Sequence, residues 1–217
     1  DVIIIGAGPG GIFAAYELVK ECRNLKIAIF EAGHELSKRK CPIDGEKIKS
    51  CIKCTSCSIM SGFGGAGAFS DGKYNITNDF GGTLYEYIGK AKAIDLMNYV
   101  DEINMAYGGE GTKMYSTAGT QFDKICMQNK LKLLNASVRH LGTDVNYVVL
   151  ENIYHVLKEK VDFYFDSPVE TVEKSKNGYR VYSKEKGYDC KQCIISVGRI
   201  GSKWMEKICN ELKIPTQ

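Results

Sequence analysis

The sequence has few of the features that mark several classes of protein. A formal net charge of +3 over 217 residues is too small to argue for nucleic-acid binding, and the basic residues are spread along the chain. No apolar run is long enough to span a bilayer, and no secretory signal peptide is visible. We therefore expect a protein that binds neither nucleic acid nor membrane. Nine cysteines without such a signal suggest the reducing cytoplasm.

Residues 1–31 have the pattern of a strand, a glycine-rich turn, a helix and a second strand. "DVIII" is a β-branched run typical of a buried parallel strand, "IFAAYELVKEC" has helical spacing, and "LKIAIFE" is a second apolar strand that ends at Glu31. The turn "GAGPGG" contains GxGxxG, formed by Gly6, Gly8 and Gly11. In this context Gly6 permits the tight turn, Gly8 lets a pyrophosphate approach the backbone, and Gly11 allows close helix–strand packing.

The same segment predicts a dinucleotide site. The helix N-terminus offers N–H groups and a positive dipole end to phosphates. The predicted site includes Pro9 and Gly10, which stand within the glycine-rich turn. Glu31 lies twenty residues past Gly11, where an acidic side chain would accept hydrogen bonds from ribose hydroxyls, with Ala32 next to it. These features suit FAD and NAD equally. The extension of the motif to Ala15 and the "FEAG" after the second strand resemble two-dinucleotide-binding-domain flavoproteins and favour FAD.

Four cysteines follow with the spacing C-x9-C-x2-C-x2-C. They are Cys41, Cys51, Cys54 and Cys57. The short spacing can place thiolates around one metal, either an iron–sulfur cluster or tetrahedral zinc. Free thiols on a loop near the cofactor and a redox-active pair are the alternatives. A second CxxC, formed by Cys190 and Cys193, is expected on a strand, with Cys193 in the core and Cys190 partly exposed.

The stretch "GFGGAGAFSDGK", residues 62–73, is rich in glycine. Such a sequence suits backbone brought close to a planar or phosphorylated ligand, or to another strand. Ser70 and Asp71 could cap a helix or bind a ligand. Lys73 could meet an anion or the flavin edge, or be a surface amine. Arg39, eight residues past Glu31, is similar in position to a basic residue that two-dinucleotide-binding-domain flavoproteins often have near the cofactor; the alternative is a solvated charge.

Several segments together resemble one known family. "GFGGAGAFSDGK", "FGGTL", "RHLGTD" and "ISVGRIGSKWMEKICNELKIP", in this order after "GAGPGG", are similar to bacterial FAD-dependent dehydrogenases of an NAD(FAD)-utilising oxidoreductase family, over nearly the whole chain. The resemblance implies bound FAD, possible reduction by NAD(P)H, and a small-molecule substrate or electron acceptor. It also implies that the glycine stretch lines the flavin, which places Gly64, Gly65, Ser70, Gly72 and Lys73 in the site.

The predicted fold is α/β, a Rossmann-like FAD-binding domain with a parallel sheet, a β-meander crossover and a helical insertion. Helices are predicted over about 83–106, 119–135 and 144–159, and the insertion over 83–160. The meander follows "VDFYFD", with turns at Asn177-Gly178 and Lys186-Gly187. It is similar to the crossover of glutathione-reductase-like flavoproteins, which places Gly198 of "ISVG" near the dinucleotide.

A later strand carrying Gly-Asp, which closes the cofactor domain in flavoproteins of this architecture, is missing from the sequence. The first residue is Asp1 rather than Met. We therefore expect an N-terminal portion, with 1–82 and 161–217 forming an incomplete cofactor domain. The predicted function is a FAD-dependent oxidoreductase with no catalytic residue identified. A flavin/iron–sulfur electron-transfer protein and a non-catalytic nucleotide-binding module are the alternatives.

Overall fold

The computed structural model describes residues 1–22 and 24–216. The strands are β1 Val2–Ile5, β2 Ile27–Phe30, β3 Lys73–Ile76, β4 Met114–Ser116, β5 Ser137–His140, β6 Val161–Tyr164, β7 Val169–Ser175, β8 Gly178–Ser183, β9 Lys186–Cys190 and β10 Gln192–Ile195. The α-helices are α1 Pro9–Glu21, α2 Leu84–Ile88, α3 Lys90–Asn104, α4 Phe122–Gln128, α5 Thr143–Leu157 and α6 Ser202–Leu212. No helix in these ranges is long and apolar enough to cross a membrane.

The chain forms two compact units. The first consists of Asp1–Ala68 together with the chain from Ile153 onward, and the second is Phe69–Asn152. The predicted division into a cofactor domain, 1–82 with 161–217, and an insertion, 83–160, is a functional assignment and stays a prediction.

The first unit is built on a four-stranded parallel sheet with the order β10-β1-β2-β6. Every residue of β1 is buried, because its β-branched side chains are covered on both faces of the sheet. Ile3 lies opposite Ala28 on one side and Cys193 on the other. Helix α1 connects β1 to β2 and buries Ile12 and Ala15. This arrangement confirms the predicted Rossmann-like α/β fold.

An antiparallel meander, β7-β8-β9, completes the first unit and confirms the predicted crossover. Its side chains share one hydrophobic cluster with β1 and α6, including Ile3, Val181 and Ile208. The second turn falls earlier than predicted, at Lys184 and Glu185, whose φ angles are +51° and +63°. Two successive left-handed residues make the turn that best matches the twist of a hairpin.

The second unit contains a sheet that the sequence analysis did not predict. Strands β3, β5 and β4 form an antiparallel sheet in that order, with β4 and β5 inside the insertion predicted over 83–160 and β3 before it. The helix predicted over 83–106 is interrupted at Gly89, where φ is +85°. The helix predicted over 119–135 is limited to α4. Arg139 on β5 donates hydrogen bonds to the Asp101 carboxylate and to the carbonyl oxygen of Thr112, so this guanidinium holds the unit together.

Strands β3 and β5 bring together two motifs that are far apart in the sequence. Lys73 of "SDGK" pairs with His140 of "RHLGTD". The N–H groups of Leu141 and Gly142 donate to the carbonyl oxygens of Gly72 and Asp71, at 2.9 and 3.0 Å. These segments are therefore one structural element in the second unit.

Candidate dinucleotide-binding site

The loop between β1 and α1 contains two glycines that backbone geometry requires. Gly6 has a φ of +102°, and a Cβ there would lie 2.6 Å from the carbonyl oxygen of Ser196. A Cβ on Gly11 would lie 1.9 Å from the carbonyl oxygen of Gly6. The Ser196 hydroxyl donates to the carbonyl oxygens of Ile5 and Gly6, each at 3.1 Å. The loop, the helix and the end of β10 are thus in direct backbone contact.

Gly8 differs from Gly6 and Gly11, because space remains around it. It is half-buried with φ −77°, and a Cβ there would come no closer than 3.9 Å to another heavy atom, Gly65 Cα. Pro9 and Gly10, which begin α1, are exposed, and Gly8 contributes no side-chain cap to the helix. Pro9 has no N–H, so the exposed Gly10 offers the first N–H of the helix to an anion.

Glu31 is the buried acid of the site, 7% exposed at the end of β2. Its Oε2 accepts a hydrogen bond from the N–H of Ala7 at 2.7 Å. Its Oε1 accepts from the N–H groups of Gly33 and Gly62, both at 2.8 Å. An ionised carboxylate has about four acceptor positions. Three are used by the backbone, so Oε2 retains capacity for about one ribose hydroxyl.

Residues 58–65, which we call the second glycine loop, lie against the first. The Gly64 N–H donates to the carbonyl oxygen of Ala7 at 2.8 Å. Gly65 has a φ of +58°, and a Cβ there would lie 3.1 Å from Gly8 Cα. Gly64 and Gly65 therefore form a wall beside the residue at which the motif predicts the pyrophosphate.

Arg39 is buried, with 5% of its surface exposed, so the interpretation as a solvated charge is wrong. The guanidinium donates to the carbonyl oxygens of Ser58 at 2.9 Å, Ile59 at 2.9 Å and Phe63 at 2.6 Å. Burial lowers the pKa of Arg39, and the nearby Glu31 charge opposes this shift. Three bonds to the second glycine loop make Arg39 part of its framework.

The other predicted cofactor residues are placed differently. Ala32 is exposed directly after β2, and Gly198 is exposed with a φ of +63° at the start of a short turn before α6. Ser70, Gly72 and Lys73 belong to the second unit. The Lys73 ammonium lies 2.6 Å from the Asp71 carboxylate, and this hydrogen bond lowers the pKa of Asp71. Their assignment to the cofactor stays a prediction.

Cys41, Cys51, Cys54 and Cys57 are not gathered around a common point. Cys51 and Cys54 are exposed, while Cys41 and Cys57 are half-buried. Within residues 1–22 and 24–216, no group of three or more His, Cys, Asp or Glu side chains is arranged to hold a metal ion. The arrangement fits the free-thiol alternative.

The second CxxC differs from the expectation. Cys190 is the buried member and Cys193 the half-buried one, because Cys190 ends β9 in the hydrophobic cluster and Cys193 lies on β10. Burial raises the pKa of Cys190 and raises the pKa of Cys193 to about 12.

These environments predict a large difference in thiol alkylation. At pH 8, iodoacetamide should label Cys51 and Cys54 at least about a hundredfold faster than Cys193. Because burial raises the pKa of Cys193 from 9 to about 12, the thiolate fraction of Cys193 at pH 8 falls about a thousandfold. Peptide mass spectrometry over a time course measures both rates. Slow labelling of Cys51 and Cys54 that a chelator accelerates would instead support a metal on these cysteines.

Sequence reasoning missed Ser196, Gly33 and Gly62. Ser196 occupies the space beside Gly10 and Gly11, and a Cβ on Gly33 would lie 2.4 Å from the Gly62 nitrogen. The position of Ser196 in "ISVG" at the end of a predicted strand was a usable signal. The contact of Gly33 with Gly62 depends on tertiary packing, so no sequence pattern indicated it.

Comparison with known proteins finds similarity in sequence and in fold. A family model described as an NAD(P)-binding Rossmann-like domain matches residues 4–40. Among solved structures, glycine oxidase from Geobacillus kaustophilus is similar, with a TM-score of 0.55 and 15% identity over 99% of this chain and 58% of that one. L-amino acid deaminase from Proteus myxofaciens, in complex with anthranilate, has a TM-score of 0.47 and 14% identity over 100% of this chain and 48% of that one.

One curated relative matches by sequence. It is an uncharacterised protein of Clostridium beijerinckii (strain ATCC 51743 / NCIMB 8052), 27% identical over 145 residues, which are 67% of this chain and 24% of the relative. The chain thus spans about a quarter of this relative and 58% of the Geobacillus enzyme. The family match and the Geobacillus likeness confirm the Rossmann-like fold.

Proposed function

We propose that this chain is the dinucleotide-binding portion of a FAD-dependent oxidoreductase that acts on a small-molecule substrate. The open space at Gly8 carries the proposal: a Cβ on this motif glycine, at the start of α1, would meet no close atom. Glu31, after the end of β2, retains about one acceptor position for a ribose hydroxyl. This cradle fits the pyrophosphate and ribose of a dinucleotide.

FAD is preferred to NAD because of the family resemblance carried by the glycine stretch and the "FEAG" segment. The name of the Geobacillus neighbour, glycine oxidase, agrees with a redox enzyme for small molecules. We also propose that the chain is related to glutathione-reductase-like flavoproteins. In this proposal residues 1–82 and 161–217 bind the cofactor, and residues 83–160 form part of the surface that faces the substrate. The cytoplasmic location stays a prediction.

In this proposal each part of the site has a defined task. The N–H groups at the start of α1 bind the pyrophosphate, and the Glu31 carboxylate accepts a ribose hydroxyl. The second glycine loop excludes water from one side of the phosphates. A bound flavin supplies hydride or electron transfer, and the protein binds and orients it.

The test is the absorbance spectrum of the freshly purified product of the longest reading frame that contains this chain. Flavin bands, retained or restored by added FAD, are the expected result. Additional broad iron–sulfur absorption would favour the electron-transfer alternative. A colourless protein that takes up no added FAD would overturn the proposal and leave a nucleotide-binding module.

Gly8→Ala tests the site itself. The new methyl group causes no clash, so the free energy of unfolding should change by less than about 1 kcal/mol. The same methyl occupies the approach of the pyrophosphate, so the Kd for FAD should rise at least about tenfold. Fluorescence titration with FAD and urea unfolding measure the two quantities. Unchanged affinity in a folded Gly8→Ala variant would place the cofactor elsewhere.

A further inference from the structure

The buried guanidinium of Arg39 suggests a role that does not require direct contact with a cofactor. Three of its hydrogen bonds, at 2.6–2.9 Å, go to backbone carbonyl oxygens of the second glycine loop. We propose that Arg39 is a positioning residue: it sets the affinity for the dinucleotide by holding the second glycine loop against Gly8. This inference rests on the proposed function.

Arg39 and Glu31 hold the second glycine loop by complementary groups. Arg39 donates hydrogen bonds to carbonyl oxygens of the loop, while the Glu31 carboxylate accepts one from the N–H of Gly62 at 2.8 Å. Both side chains are buried, and their opposite charges attract. Directly after these attachments in the chain, the Gly64 N–H donates to the carbonyl oxygen of Ala7 at 2.8 Å. The wall beside Gly8 is therefore the continuation of a segment that both side chains hold.

The geometry requires arginine rather than a general cation. Three carbonyl oxygens, from residues 58, 59 and 63, surround one side chain, and a planar guanidinium presents donors in three directions. An ammonium is a point charge and cannot reach all three positions. Gly62 leaves room for the fork, because a Cβ there would lie 2.7 Å from Arg39 Cδ.

The experiment measures the Kd for FAD in the wild type, Arg39→Lys and Arg39→Ala, in the full product of the reading frame. Arg180→Lys is the matched control, since this arginine pairs with Asp189 on the exposed meander. We expect both Arg39 variants to raise Kd roughly tenfold or more, as loss of supporting contacts around a ligand does. Arg180→Lys should leave Kd unchanged.

Two further readouts separate positioning from direct charge contact and from general instability. Millimolar guanidinium ion should restore affinity to Arg39→Ala. The slope of log Kd against log salt should be the same in the wild type and Arg39→Ala, because no phosphate contact is lost. Wild-type affinity in Arg39→Lys would overturn the positioning role, since the charge alone would then suffice.

If Arg39→Ala does not fold, the positioning role is tested by the Kd of Arg39→Lys for FAD and by the rate at which Cys57 is alkylated in that variant. Cys57 precedes the second glycine loop and is half-buried. Detachment of the loop should increase its labelling rate several-fold without FAD, and an unchanged rate would contradict the inference. A wild-type protein that takes up no FAD overturns the proposed function, whereas unaltered FAD affinity in the variants overturns only the role of Arg39.

Discussion

Gly11→Ala should destabilise the first unit by about 3 kcal/mol and abolish dinucleotide binding. The added Cβ would lie 1.9 Å from the Gly6 carbonyl oxygen and 2.9 Å from the Ser196 hydroxyl. The first contact is with backbone, which cannot rotate away as a side chain does. Helix α1 would have to move off β1, and the N–H groups at its start would move with it.

The single tryptophan, Trp204, reports this change. It packs against the hydrophobic cluster of the first unit, so its fluorescence during urea unfolding follows that unit. Gly67→Ala is the control, because a Cβ at Gly67 meets no atom within 4 Å. Equal unfolding midpoints for the two variants would show that the close approach of α1 to β1 is not needed for stability.

Glu31→Gln should have the second large effect, a loss of about 2–4 kcal/mol in the free energy of unfolding. The carboxylate accepts three backbone N–H groups, from Ala7, Gly33 and Gly62. A glutamine amide replaces one acceptor oxygen by an NH₂ donor, which faces another donor in either orientation. The substitution also leaves the buried Arg39 without its nearby negative charge.

Urea unfolding followed by Trp204 fluorescence measures the loss, with FAD titration beside it. Glu21→Gln is the matched control, since Glu21 is exposed on α1 and its ion pair with Lys20 spans 3.7 Å. Such a surface pair contributes little, so the control should stay within about 0.5 kcal/mol of the wild type. A Glu31→Gln protein as stable as the control would mean that the two glycine loops do not depend on this carboxylate.

The elements near the N-terminus could be predicted because local patterns specify them. A β-branched run, glycines at fixed spacing and a terminal acid identify β1, α1 and β2 without tertiary information. The second unit was harder to predict. Strands β3, β4 and β5 are three or four residues long, and β3 pairs with β5 across more than sixty positions. Short polar strands carry little periodicity, so no strand was predicted at these positions.

Sequence alone determined the Rossmann-like unit, the meander and the requirement for Gly6 and Gly11, because each depends on neighbouring residues and backbone geometry. Only the tertiary structure decided the surroundings of Arg39, Ser196 and the cysteines. Burial and hydrogen-bond partners come from segments distant in the chain. Thus Arg39 donates to three backbone carbonyl oxygens, and Cys41, Cys51, Cys54 and Cys57, all among the described residues, form no group arranged to hold a metal ion.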